Sequence, residues 1–354
     1  MTISGTAPPT AFKVAAVQAA PVPFDVASSV QKAIGLIDEA ASNGASLLAF
    51  PEAWLPGYPN FMWLGPPGWS MQFVPRYHAN SITRDGPELK ALAAAAQRAG
   101  IDVVMGYSER DHGSLYMGQS FISRDGSIHF TRRKLKPTHV ERALFGEGDG
   151  SDIIVTTNMD GVRVGALNCY EHIQSLLKFA MQAQHEQIHV AAWPAFTVNL
   201  DHYYALSAEP CLAASRSYAI EGQCFVLAAT SVIDAETLAS LNGAPDMSPL
   251  LDPQTGAAGG GHAAIFGPDG RQLSASIRHD EEGIVYADID LGYILMTKAM
   301  VDPVGHYARG DVLSLRVNRQ PRKHISYGDD GAKIDTPTPS STSIGSDLPI
   351  ETAT

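Results

Sequence analysis

Three stretches of this sequence hold residue types that can do covalent chemistry. Cys169 lies where an apolar run, Val164-Gly-Ala-Leu-Asn168, meets a polar one, Tyr170-Glu-His-Ile-Gln174. A thiol becomes a nucleophile when neighbouring cations or dipoles favour its thiolate, and a helix expected after residue 172 offers its N-terminal dipole. Taken alone, Cys169 reads more readily as an inert buried thiol, which is the reading given to Cys211 and Cys224. Glu52 follows a short apolar run and stands among Pro51, Trp54, Leu55 and Pro56. Desolvation there raises a carboxyl pKa, which suits a general base working near neutral pH. The third stretch, Arg132 to Arg142, has five basic residues and one acid within eleven. One inward lysine from it would be a fixed charge able to stabilise a developing anion. Alternation puts Lys134 and Lys136 on one face, so periodicity leaves the choice between them open.

These residues need elements to hold them. Lys13 to Ala19 reads as a buried strand, and Asp25 caps a helix with Val26, Val30, Ile34 and Ile37 spaced by three and four. Gly44 stops it, and Ser46 to Phe50 is a second strand halted by Pro51. Strand, helix, strand in so few residues predicts an α/β layered domain. Residues 56–69, rich in proline and glycine, read as an irregular aromatic loop forming a wall or lid. Helices are expected over 87–99, 173–184 and about 207–221, with a short one after Leu291. Strands are expected over 101–106, 162–169, 189–193 and 224–231. Tyr116–Ser123 and Ser127–Arg132 form a hairpin around Asp125-Gly126. Residues 262–266, 272–276 and 283–288 are expected as antiparallel strands. The division is an arm over 1–11, one catalytic domain over 12–318 and a tail over 319–354, where Thr-Pro-Thr-Pro-Ser-Ser-Thr-Ser offers nothing to a core.

Composition narrows the function. Of 354 residues, 45% are hydrophobic and 18% charged, with a net charge of −12. The acidic balance argues against nucleic acid and against anionic membranes as partners. The low charged fraction favours association into a homo-oligomer. Three cysteines are too few for a disulfide framework, so a reducing, cytoplasmic setting is the expectation. No apolar run reaches the roughly 18–20 residues of a membrane span. His185-Glu-Gln-Ile-His189 spells the H-E-x-x-H zinc signature. However, Val190 to Pro194 reads as a strand, which takes His189 off the helix. A buttressing role, or one bridging subunits, is expected instead, with no metal.

Three segments together resemble a known family. Phe50-Pro-Glu52-Ala-Trp54, Arg133-Lys134-Leu-Lys-Pro-Thr-His-Val-Glu141 and Gly165-Ala-Leu-Asn-Cys169-Tyr-Glu-His172 are similar to the three catalytic signatures of the nitrilase superfamily, in its true nitrilase branch. The likeness continues over roughly residues 12–318. It implies a four-layer α-β-β-α sandwich whose domains pair, often into spirals. It also implies Glu52 as general base, Lys134 as the catalytic lysine, Cys169 as nucleophile and Glu141 as an acid orienting the lysine and substrate. The implied reaction needs no cofactor and turns a small-molecule nitrile into a carboxylic acid and ammonia. One departure is Tyr170, where many nitrilases have tryptophan. Tyr58 and Trp63 of the aromatic loop, with Tyr170, His172, Trp193 and Phe196, are the candidates for an apolar pocket taking aryl- or arylacetonitriles. The alternatives are a cyanide hydratase or dihydratase, an aliphatic nitrilase, an amidase, and a catalytically silent scaffold.

Overall fold

The computed structural model describes residues 10–158, 160–322 and 325. Most of the expected N-terminal arm, and the expected tail beyond Arg322 save Ile325, lie outside the described residues. The fold is that of the unit ending at Pro321, and a separate unit begins at Arg322.

Six strands come first: β1 (Ala11–Gln18), β2 (Ala45–Ala49), β3 (Asp102–Asp111), β4 (Ser114–Ile122), β5 (Ile128–Arg133) and the two-residue β6 (Phe145–Gly146). Six follow: β7 (Val155–Thr157), β8 (Arg163–Asn168), β9 (Ile188–Trp193), β10 (Phe225–Thr230), β11 (Ala264–Phe266) and β12 (Gly283–Asp290). Nine of them run in the order β5-β4-β3-β2-β1-β10-β9-β8-β7, with β6, β11 and β12 off that path. The path divides into two half-sheets, because β1 and β10 meet at one register pair, Gln18 with Thr230. β1, β2, β3, β8, β9 and β10 are mutually parallel. Parallel strands are covered on both faces and so read as continuous apolar runs, which is why they were visible in the sequence.

The covering is four layers deep. Val14, Ala16, Leu47 and Val104 of the first half-sheet pack against Val164, Val190, Phe225 and Leu227 of the second. Outside the first lie the helices Val26–Ser42 and Pro87–Ala99, burying Val30, Ile37, Leu89 and Leu92. Outside the second lie Ser175–Gln182 and Ala208–Gly222, with Leu177, Met181, Cys211 and Tyr218 buried. Each fully buried aliphatic side chain contributes about 1.5–3 kcal/mol. The first helix starts where expected, since the Asp25 carboxylate accepts the Ser28 N–H at 2.9 Å. Among the described residues no helix is long and apolar enough to cross a membrane.

Two expectations change. The segment 56–69 is not irregular throughout: Asn60–Trp63 forms a 3₁₀ turn and Pro67–Ser70 a short helix. Proline at the first position of a helix loses no internal hydrogen bond, so the prolines open that helix rather than forbid it. Of the three antiparallel strands expected near the C-terminus, two form, and residues 272–276 make no strand. β11 pairs with β10 and β12 with β1, while Gln272 makes a single bridge to Phe266.

Candidate active site

The parallel strands end on one edge, the usual place for a site in an α/β sheet. Glu52 follows the end of β2, Cys169 that of β8, and Trp193 closes β9. β5 runs antiparallel to β4, and β4 to β3, so Lys134, directly after β5, reaches the same edge. Gly106 makes room for Glu52: a Cβ there would stand 2.1 Å from the Pro51 carbonyl oxygen. The Glu52 N–H donates to the Trp193 carbonyl at 3.2 Å. Lys134 is fixed through its backbone, its N–H donating to the Met117 carbonyl and its own carbonyl accepting from Gly148, both at 2.8 Å.

The side chains converge. The Lys134 ammonium donates to Glu52 Oε1 and to Glu141 Oε2, each at 2.7 Å. Glu52 and Lys134 are fully buried and Glu141 nearly so. One carboxylate oxygen each of Glu52 and Glu141 and the sulfur of Cys169 all lie within 4.8 Å of one another. Glu141 also accepts from the Tyr58 hydroxyl at 2.9 Å and from the Thr138 N–H at 2.6 Å. Three non-glycine residues here take the left-handed conformation: Ala53 (φ 46°), His139 (φ 47°) and Cys169 (φ 46°). Such strain costs about 1–3 kcal/mol per residue and concentrates at functional sites.

Two carboxylates against one ammonium in a dry site cannot both ionise cheaply. Burial pushes Glu52 up to about 8, against the pull of Lys134. Burial, then the Glu52 charge, drives the Cys169 thiol well above its ordinary value despite Lys134. The sequence suggested a thiolate favoured by a helix dipole; instead Cys169 opens a 3₁₀ turn, Cys169–Ile173, and the following helix starts only at Ser175. The resting sulfur is therefore a thiol that needs a base beside it.

Sequence reasoning passed over the residues that join these segments. Arg132 grips Glu171 in a fork, Nη1 to Oε2 at 2.9 Å and Nη2 to Oε1 at 2.7 Å, with both side chains fully buried. Glu171 also accepts the Leu135 N–H and the Asn168 N–H. One carboxylate thus ties the turn bearing Cys169 to the strand end bearing Lys134. Burial alone would raise Glu171, but the Arg132 charge and these hydrogen bonds hold it below its ordinary value. Alternation of Arg132 with Lys134 was the one available signal, and it named no partner. Replacing Glu171 with alanine strands a buried guanidinium and is expected to cost about 3–5 kcal/mol in urea denaturation. Because the folded pKa is lowered, the native contribution is complete above about 4.5 and fades as pH falls through the folded value.

The cleft over Cys169 is lined by Tyr58, Trp63, His139, Glu141, Trp193, Phe196 and Tyr203, among others. Trp63 stacks on His139 at 4.9 Å and meets Tyr203 edge-on. Four of the six expected pocket residues therefore line it. Tyr170 and His172 do not: the Tyr170 hydroxyl donates to the Ala205 carbonyl, and the 3₁₀ turn carries His172 into the interior, fully buried. His185 is exposed with φ 59°, and His189 is buried in β9, so the two histidines do not share a helical face.

The sequence profile described as Carbon-nitrogen hydrolase matches residues 13–299. The chain belongs to that family. As a carbon–nitrogen hydrolase it is 50% identical over 310 residues to an aliphatic nitrilase of Rhodococcus rhodochrous, covering 87% of this chain and 83% of the relative. It is 47% identical over 303 residues to an arylacetone-specific nitrilase of Alcaligenes faecalis, covering 86% and 83%. These likenesses put it in the true nitrilase branch. The crystal structure of Saccharomyces cerevisiae Nit3, a member of branch 10 of the nitrilase superfamily, superposes with a TM-score of 0.62 at 18% identity, covering 84% of this chain and 96% of the other. That confirms the α-β-β-α sandwich.

Proposed function

We propose that this hydrolase converts an organic nitrile and two waters to a carboxylic acid and ammonia, with Cys169 as nucleophile, Glu52 as general base, Lys134 as the fixed positive charge and Glu141 as the acid that orients it. The observation that carries this reading is the Glu52–Lys134–Glu141 chain, buried and hydrogen-bonded at 2.7 Å, with carboxylate oxygens within 4.8 Å of the thiol. The sulfur adds to the nitrile carbon while Glu52 takes the thiol proton and passes it to the nitrogen, giving a neutral thioimidate and leaving Glu52 ionised again. Water, deprotonated by Glu52, adds to that carbon, with Lys134 opposing the developing charge. Glu52 hands that water proton to the nitrogen, and as the C–N bond breaks the hydroxyl proton follows, so ammonia leaves and a thioester remains. A second water releases the acid and returns the proton to sulfur. Among the described residues Glu52 Oε2 has no hydrogen-bond partner, which supports its use as the base. Acid and ammonia in equal amounts, with an acyl adduct on the Cys169 peptide after rapid quenching, are the expected products. An amide as sole product overturns the reading.

The aromatic lining favours flat apolar substrates, because Trp63, Trp193, Phe196 and Tyr203 offer ring faces and edges. Across benzonitrile, phenylacetonitrile, an aliphatic dinitrile and cyanide, kcat/KM is expected to be highest for the two aryl substrates. Turnover confined to cyanide or the dinitrile overturns this preference. A homo-oligomer in a reducing compartment fits the same picture: Leu176, Leu295, Met296 and Met300 are each at least 65% exposed, apolar surface that a second copy would cover, and the three cysteines are free.

A further inference from the structure

No step of that reaction uses the H-E-x-x-H segment, yet Glu186 and His189 are sealed in the interior. They belong to a chain that ends on the backbone of Cys169. His172 Nδ1 lies 2.6 Å from the Cys169 carbonyl oxygen, His172 Nε2 lies 2.9 Å from His189 Nε2, and His189 Nδ1 lies 2.9 Å from Glu186 Oε2. The buried Tyr218 hydroxyl donates to Glu186 Oε1.

Valence fixes the proton positions. A carbonyl only accepts, so His172 carries its proton on Nδ1. Burial, then neighbouring His189, holds His172 well below the ordinary histidine range, so it is neutral and its Nε2 accepts. His189 therefore donates from Nε2. Its Nδ1 then shares one proton with Glu186, and the cluster is neutral whichever of the two holds it. With that proton on Glu186, every bond donates towards Cys169, and such chains reinforce one another.

The chain stops at a carbonyl, not at sulfur, so it moves no proton to or from the thiol. What it holds is geometry. Cys169 sits at φ 46°, and pinning its carbonyl fixes the plane of the Cys169–Tyr170 peptide and hence the direction of the Tyr170 N–H. The His172 ring also stacks on Trp193 at 5.2 Å, the residue whose carbonyl receives the Glu52 N–H. A second observation shows the strand shaped around this cluster: a Cβ at Gly165 of β8 would stand 2.0 Å from Glu186 Oε2.

We propose that His172, His189, Glu186 and Tyr218 form a buried brace that holds Cys169 in its left-handed conformation, and that His172 is the positioning residue through which the brace acts. This rests on the reading of Cys169 as nucleophile. The test compares His172→Asn with His172→Leu. The asparagine amide stands near the ring Nδ1 and can donate to the carbonyl, whereas leucine cannot. His172→Asn is expected to keep kcat within about fivefold, while His172→Leu loses on the order of 10²-fold with KM within about twofold, as a small misplacement of a reacting group does. Alkylation of Cys169 by iodoacetamide, followed on its own peptide in the folded protein, slows in parallel. Glu186→Gln, which can donate to His189 and accept from Tyr218, behaves like His172→Asn. Wild-type kcat and alkylation rate in folded His172→Leu, or equal losses in both His172 variants, overturn the brace. Should His172→Leu not fold, Gly165→Ala decides. Displacing Glu186 is expected to lower kcat and not KM, and wild-type kcat overturns the proposal. Cys169→Ala separates the two readings: turnover there refutes the nucleophile, whereas a dead Cys169→Ala beside a normal His172→Leu refutes the brace alone.

Discussion

Cys169→Ala is expected to yield a folded protein that forms neither acid nor ammonia, a loss of at least about 10⁴-fold in kcat. The fold survives because the site loses one sulfur from a position that is 6% exposed, a small cavity worth about 1 kcal/mol. Thermal melts of both proteins and ammonia assays on the best aryl nitrile measure the two halves of this statement, and residual turnover near the wild-type rate refutes it. The pH profile of the wild type adds a signed test. The thiol rests protonated, so the rate needs Glu52 ionised, and burial raises Glu52 to about 8. The acid limb of kcat/KM is therefore expected well above 4.5, with activity rising as pH increases through that limb. A limb near 4.5 would mean that Lys134 overcomes burial.

Much of this architecture was legible because parallel strands announce themselves. Val14 to Val17 and Val190 to Trp193 are buried on both faces, so they appear as unbroken apolar runs. Capping chemistry is equally local, as at Asp25. What stayed hidden were pairings between distant segments. Nothing in Gly283–Asp290 says that its partner is β1 rather than the neighbouring β11. Nothing in the basic run says that Arg132 meets Glu171, 39 residues on. His172 was expected among the pocket residues. A 3₁₀ turn with three residues per repeat instead sends it inward to His189. The H-E-x-x-H spacing was read against a shared helical face from the strand at Val190–Pro194, and His189 does lie in β9, off any helix with His185. Its hydrogen bond to His172 required the fold.

The choice between two lysines shows where periodicity loses authority, and it carries the last large effect. Alternation put Lys134 and Lys136 on one face, but β5 ends at Arg133, and beyond a strand the two-residue repeat predicts nothing. Lys136 is 53% exposed at its side chain and pairs with Glu147, an ion pair worth about 0–1 kcal/mol. Lys136→Ala should therefore keep kcat/KM within about twofold, with its melt hardly moved. Lys134→Ala instead leaves Glu52 and Glu141 facing one another, buried, without the ammonium 2.7 Å from each. Removing one partner of such a cluster costs about 3–5 kcal/mol in stability. The loss acts twice on rate. The developing charge on nitrogen or oxygen loses its counterion, a term of about 10²–10³ in kcat. Removal of the positive charge also drives Glu52 further up, so less of it is ionised and the acid limb moves to higher pH. The combined fall in kcat/KM is expected to exceed about 10³-fold at neutral pH and to ease as pH rises, a trend that a purely structural defect does not produce. Equal losses in the two variants, measured side by side on folded protein, would show that the charge at 134 is not the one the reaction uses.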